Sequence, residues 1–298
     1  MIVQTDSLRK AYGREEVLHA VSLSVPAGSA FALIGSNGAG KTTTLKILTN
    51  ILRPSGGEAR IFGIDSRRLS WREMRRIGYV SENQEMPRRL TVSQYLGYLR
   101  PFYPQWDREL EQSILSGLRL PMERRIGDLS HGMRMKMALA CALPYRPELL
   151  ILDEPFSGLD PLVRDEFMER LLHQAGEMTI LISSHELADI EGVATDVGFL
   201  QQGRMLFQES MSDLMQRVRE VRVTLAGAAV VPQRVPTDWL QPHADGNVLT
   251  FVATQWNEEA PLGAAAGELQ GVRHVDARPM GLRSTFTALA RAARGSGN

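Results

Sequence analysis

Two short segments carry residue types whose spacing could do chemistry. The first is Gly35-Ser36-Asn37-Gly38-Ala39-Gly40-Lys41-Thr42, which fits the phosphate-loop pattern G-x-x-x-x-G-K-[ST]. Glycines let the backbone wrap closely, so its N–H groups can point inward at phosphate oxygens. The helix that follows the loop would aim its positive end at the same anion. Lys41 would neutralise β- and γ-phosphates, and the Thr42 hydroxyl would hold Mg²⁺. Thr43 follows in the same turn and is grouped with the cradle. The second segment is Leu149-Leu150-Ile151-Leu152-Asp153-Glu154, four apolar residues ending in two acids. A buried strand would deliver both acids at its carboxyl end, where open α/β sheets bind ligands. Neighbouring strand residues point to opposite faces, so the two acids can divide their roles. Asp153 suits a Mg²⁺ ligand, directly or through water. Glu154 suits a base that polarises an attacking water.

These residues need a scaffold, and the flanking pattern supplies one. Phe31–Ile34, Leu149–Leu152 and Thr179–Ile182 read as buried strands, and Thr43–Leu52 as a helix. Such alternation predicts an α/β fold with a central, mostly parallel sheet. Residues from about 86 to 145 read as helices over Val92–Leu99, Arg108–Leu118 and Gly132–Leu143, with Thr91 as an N-cap. They predict an inserted helical subdomain. Beyond residue 210 the pattern changes to strand-like alternation at Val221–Leu225 and Val248–Val252, punctuated by Pro232, Pro236 and Pro242. A last amphipathic helix covers Ser284–Ala293. The expectation is a domain over 1–210 and a small C-terminal α+β accessory domain over 211–298, with a linker near 208–218.

Composition narrows the classes. The 34 basic and 34 acidic residues of the 298 cancel, so no global field favours nucleic acid or an anionic lipid surface. One cysteine, Cys141, excludes an internal disulfide and a multi-cysteine metal cage. No apolar run reaches membrane-spanning length, and the first residues lack a signal-peptide pattern, so a cytosolic chain is expected. Only four basic residues are lysines (Lys10, Lys41, Lys46 and Lys136), and one stands in the phosphate loop. His185-Glu186 begins like a zinc motif, but residue 189 is Asp, so that motif fails. Cys141 reads as a buried thiol, the arginines at 67, 68, 72, 75 and 76 as a solvated face.

Further residues narrow the family. Leu129-Ser130-His131-Gly132-Met133 lies ahead of Asp153 and opens a helix pattern; it resembles the LSGGQ signature of ATP-binding cassette (ABC) ATPases. Ser157-Gly158-Leu159-Asp160 resembles their D-loop. His185 follows a strand where that family has its switch histidine, and Tyr12 stands where it stacks an aromatic on adenine. Over about residues 1–210 the chain resembles ABC ATPases. Gly78-Tyr79-Val80-Ser81-Glu82 and Phe102–Trp106 make it look most like ATPase subunits of ABC-2-type transporters, commonly exporters.

The resemblance implies a P-loop NTPase cassette that uses ATP and Mg²⁺. It implies that two cassettes pack head to tail, in the simplest case as a homodimer, with Ser130 and Gly132 cradling the partner's ATP. Asp160 would work at the seam, and His185 at the γ-phosphate. A separate membrane-spanning permease would hold the chain at the cytoplasmic face of the membrane, against the aromatics Tyr95, Tyr98, Phe102, Tyr103 and Trp106 unless these are core. No nucleic-acid partner is expected; a non-transport ABC ATPase acting on ribosomes or DNA is the alternative, and a catalytically dead binder a third reading. Two positions depart from the family pattern. Glu82 stands where glutamine is usual, with Gln84 as alternative occupant; a carboxylate there could bind a Mg²⁺-coordinated water. His131 and Met133 alter the signature.

Overall fold

The computed structural model describes residues 1–159, 164, 168, 178–259, 262 and 269–295. Internal contacts divide the chain into two units, Met1–Gln208 and Glu209–Asn298.

The first unit runs β1 (Val3–Tyr12), β2 (Glu15–Val25), β3 (Ala30–Ile34), α1 (Lys41–Leu48), β4 (Gly56–Ile61), β5 (Ile64–Asp65), α2 (Trp71–Met74) and β6 (Ile77–Ser81). It continues with α3 (Val92–Leu99), α4 (Arg108–Leu118), α5 (His131–Ala142), β7 (Leu149–Asp153), β8 (Thr179–Ser184), β9 (Asp196–Gln201) and β10 (Arg204–Ser210). Six strands form one sheet in the order β10-β9-β3-β8-β7-β6. The pairs β9/β3, β3/β8, β8/β7 and β7/β6 are parallel. This is the α/β core that the apolar runs predict.

β7 shows why continuous apolar runs become central strands. All five of its residues are buried, because both sheet faces are covered. Leu150 and Leu152 point into one core with Ile180 and Ile182 and with Val92, Leu96, Ile114, Met137 and Leu139 of the helical insertion. Leu149, Ile151 and Leu181 point into the other, with Phe31, Leu33, Leu45 and Leu48. At roughly 1.5–3 kcal/mol for each fully buried aliphatic side chain, this strand cannot slip by one residue.

The second core is closed by an antiparallel sheet, β2-β1-β4-β5, which the sequence pattern did not announce. Register shifts interrupt the β1/β2 pairing, and Ser7 and Ala20 have left-handed φ of 47° and 59°. Bulges of this kind break strict alternation.

The helices of the insertion start where side chains can cap them. Thr91 and Gln94 form a reciprocal capping box on α3, Asp107 accepts from Leu110 N–H at 2.9 Å on α4, and Ser130 accepts from Met133 N–H on α5. Glu111 is buried but bridged by Arg100 and by the Trp106 indole N–H at 2.9 Å, which satisfies its charge. Tyr103 stacks on Tyr145 with centroids 4.0 Å apart. Trp106 and Tyr103 are therefore packing residues, whereas Tyr98 and Phe102 stay more than half exposed.

In the second unit four strands, Arg219–Leu225, Trp239–Asp245, Val248–Ala253 and Val272–Pro279, pair antiparallel. Val221, Val223, Leu249 and Phe251 form its core, with Trp239 stacked on Phe251. The terminal helix spans Leu282–Gly295 and buries Leu282 and Phe286. The linker expected near 208–218 is not one. β10 runs into a helix, Met211–Arg217, capped by Ser210 and anchored by fully buried Leu214. The Glu209–Arg217 ion pair adds a further tie there.

Candidate active site

β3 ends at Ile34, and the chain turns through Gly35–Gly40 into α1. Two glycines are sterically required. A Cβ on Gly35 would fall 2.1 Å from the Leu200 carbonyl oxygen, and one on Gly40, at φ 103°, would fall 2.5 Å from Leu18 Cδ2. Ser36, Asn37 and Gly38 form the exposed crest, while Ala39 is buried and its N–H donates to Ser36 O at 3.0 Å. Lys41 folds back under this loop, donating to Gly35 O at 2.6 Å and Ser36 O at 3.2 Å; it is 5% exposed. Thr42 and Thr43 follow, both half-buried.

The acid pair meets this loop. Thr42 Oγ1 donates to Asp153 Oδ1 at 2.9 Å, across 111 residues of sequence. Ser183 Oγ, on the neighbouring strand β8, donates to the same oxygen at 2.8 Å. Burial pushes the Asp153 carboxyl above the usual carboxylate range, partly opposed by the hydroxyl bonds from Ser183 and Thr42. Burial, with the Asp153 charge second, also pushes the Tyr79 phenol up to about 12. Glu154, one residue beyond β7, turns the other way. Its Oε1 lies 2.9 Å from Lys41 Nζ and its Oε2 2.8 Å from His185 Nδ1. Its φ of 50° is left-handed, a conformation that costs a β-carbon residue about 1–2 kcal/mol. Its N–H is held by Ser183 Oγ at 3.0 Å. The two acids therefore sit side by side in sequence but engage different partners.

Glu82 lies just past β6, and its Oε1 accepts from Ser157 Oγ at 2.9 Å. With Thr42, Lys46, Tyr79, Asp153, Glu154 and Gln84 it lines a cleft of about 260 Å³. Thr42, Asp153 and Glu82 thus present hard oxygen donors to one space, the donor set that suits Mg²⁺. Tyr12 is 48% exposed, at the end of β1 in the hairpin whose β2 packs on Gly40 through Leu18, and Lys10 Nζ stands 5.0 Å over its ring. Ser130 and Gly132 open α5; Ser130 is exposed and its hydroxyl is spent on its own helix cap. Asp160 lies outside the described residues.

Sequence reasoning gave no role to Ser183 or Asp189, and named Ser157 only within the D-loop-like segment. Ser184 Oγ donates to buried Asp189 at 2.6 Å, which fixes the loop that carries His185. The signal for Ser183 was present, since small hydroxyl residues ending a buried apolar strand need a polar partner nearby.

Comparison with known proteins places this chain in a family. The ABC transporter family model matches residues 18–157. The bacitracin transport ATP-binding protein BcrA of Enterococcus faecalis is 34% identical over 224 residues, covering 74% of this chain and 72% of that protein. The chain belongs to the ABC transporter ATP-binding proteins. The lantibiotic transport ATP-binding protein SrtF of Streptococcus pyogenes is 33% identical over 70% of this chain and 90% of its own length. A solved ATP-binding subunit of an ABC transporter superposes with a TM-score of 0.66 at 30% identity, covering 72% of this chain and 92% of that one. The ABC cassette fold is a binder of ATP and ADP, and ATP hydrolysis is the activity of the family. Among the described residues no helix is long and apolar enough to cross a membrane.

Proposed function

We propose that this chain hydrolyses ATP as one of two paired cassettes and drives a separate membrane-spanning subunit, in export. The observation that supports it most is the meeting of Thr42 with Asp153 while Lys41 and His185 both reach Glu154. Four elements, α1, β7, the turn after β7 and the loop after β8, converge there.

In this reading the loop N–H groups and Lys41 hold the phosphates. Tyr12 offers a ring to the adenine. Thr42 and Asp153, with Glu82 through water, would hold Mg²⁺, which when bound draws charge from the phosphate oxygens. Glu154 accepts the proton of the attacking water, and His185 fixes the direction of its carboxylate. A γ-phosphate competes with Glu154 for the Lys41 ammonium, so nucleotide binding frees the base it needs. Exposed Ser130 and the half-buried Gly132 backbone serve the ATP of a second copy, and Asp160 is assigned to the seam.

The relatives bear on transport through the roles in their names, bacitracin and lantibiotic transport. An aromatic groove of about 600 Å³, walled by Trp71, Met74, Tyr95, Leu99 and Phe102, offers a membrane subunit an apolar seat. Such a subunit would keep the chain at the cytoplasmic face of the membrane.

The test is Glu154→Gln. It should lower hydrolysis by about 10²–10⁴-fold, the usual contribution of a general base, and leave ATP affinity intact. Turnover at the wild-type rate would remove Glu154 from the role of base. For the transport arm, the tagged chain should be recovered from membranes with a polytopic subunit, and that recovery should fail when Trp71 and Phe102 are replaced by Asp.

A further inference from the structure

We propose that His131, Ser157 and Glu82 form one hydrogen-bonded tie that positions Glu154, making His131 and Ser157 positioning residues of the hydrolytic site. The proposal rests on the ATPase reading above and concerns residues to which that reading gives no such part.

The Glu154 backbone needs holding on both sides. Its left-handed φ is unfavourable for any residue with a β-carbon, and such a conformation persists only where the surroundings enforce it. Upstream the enforcement is built into the sheet, because Glu154 N–H donates to Ser183 O at 3.3 Å and to Ser183 Oγ at 3.0 Å. Downstream the chain leaves the sheet in a turn, and Ser157 N–H donates back to Glu154 O at 3.3 Å. Phe156 is buried and fixes where the turn sits. An apolar anchor is non-directional, so it does not fix the tilt of the peptides on either side.

Ser157 supplies the direction. Its carbonyl oxygen lies 2.9 Å from His131 Nε2, in the first turn of α5. Its hydroxyl donates to Glu82 Oε1 at 2.9 Å, in the loop after β6. One residue is thus gripped at two different atoms from two elements that are distant in sequence. Gly158, at φ 67°, takes the left-handed turn that follows, with its α-carbon beside the His131 ring. The protonated Nε2 tautomer is the one that can donate to the carbonyl. Losing either grip leaves the turn free to rotate about the other. That rotation turns Glu154 away from His185, while the bonds from Lys41 to the Gly35 and Ser36 carbonyls of the phosphate loop stay in place.

The tie acts on the chemical step and not on nucleotide binding, and its two grips act as one unit. Both properties can be read from ATP hydrolysis by the purified full chain carrying His131→Ala, Ser157→Ala, the two together, or Ser157→Thr. Each alanine variant should lower kcat by about 5-fold with KM within about 2-fold, and the double variant should lose about 5–10-fold, well short of the product. Ser157→Thr keeps the hydroxyl and should recover most of kcat. A loss near 25-fold in the double variant, the product expected for independent residues, would overturn the tie. So would losses expressed in KM, or a threonine variant as poor as the alanine one. A wild-type chain without ATPase activity would instead overturn the proposed function on which the tie rests.

Discussion

The phosphate loop and the signature segment are two candidate cradles built on one principle and finished differently. Each places backbone N–H groups at the start of a helix, α1 or α5. At α1 the N-cap is Gly40, with no side-chain cap, so the amides stay available, and a buried lysine closes the loop from beneath. At α5 the cap is Ser130, exposed, with its hydroxyl on its own Met133 N–H and no lysine or acid pair beside it in the segment. The first has a cation, hydroxyl and carboxylates gathered from four elements. The second has an exposed serine whose hydroxyl accepts from its own helix, followed by half-buried residues at the helix start. In the proposed reading, this difference lets one chain hold the hydrolytic groups at α1 and offer the start of α5 to a second copy.

Breaking the inner cradle should have the largest effect. Lys41→Ala removes a charge-assisted contact worth about 1.5–3 kcal/mol per hydrogen bond, and ATP affinity should fall by on the order of 100-fold in a calorimetric titration. Unchanged affinity would take Lys41 out of the phosphate site. Breaking the outer cradle should cost less and in a different quantity. Ser130→Ala should leave ATP affinity of the dilute chain unchanged and lower hydrolysis by about 10-fold, the worth of one hydrogen bond to a charged group. Part of any loss could come from the helix cap, about 1 kcal/mol of stability. Ser130→Asp separates the two, since aspartate caps as well as serine but repels phosphate, and its hydrolysis should be lower still.

The same contrast explains what could be read in advance. The inner cradle is legible because its requirements are local: glycines where a Cβ has no room, a lysine, a threonine and a helix start. β7 is legible because a strand buried on both faces must be apolar throughout. Glu154, His185 and Lys41 could be named from the sequence, but their convergence depends on strand order, which local pattern does not encode. The antiparallel sheet of β1, β2, β4 and β5 was hidden by bulges, and the 208–218 segment by its polar composition around a single anchoring leucine, Leu214. Glu82 and His131 stood out only as departures from a family pattern. The structure adds that both contact Ser157.

In the proposed pairing, ATP held by the inner cradle of one chain is completed by the outer cradle of another. The most direct measurement mixes Lys41→Ala with Ser130→Ala and follows ATP hydrolysis. In a head-to-tail pair, the mixed dimer has one site with an intact phosphate loop and an intact signature. An equimolar mixture, with half of its dimers mixed, should therefore recover about a quarter of wild-type activity, above either variant alone. Activity no higher than the mean of the two variants would contradict the account.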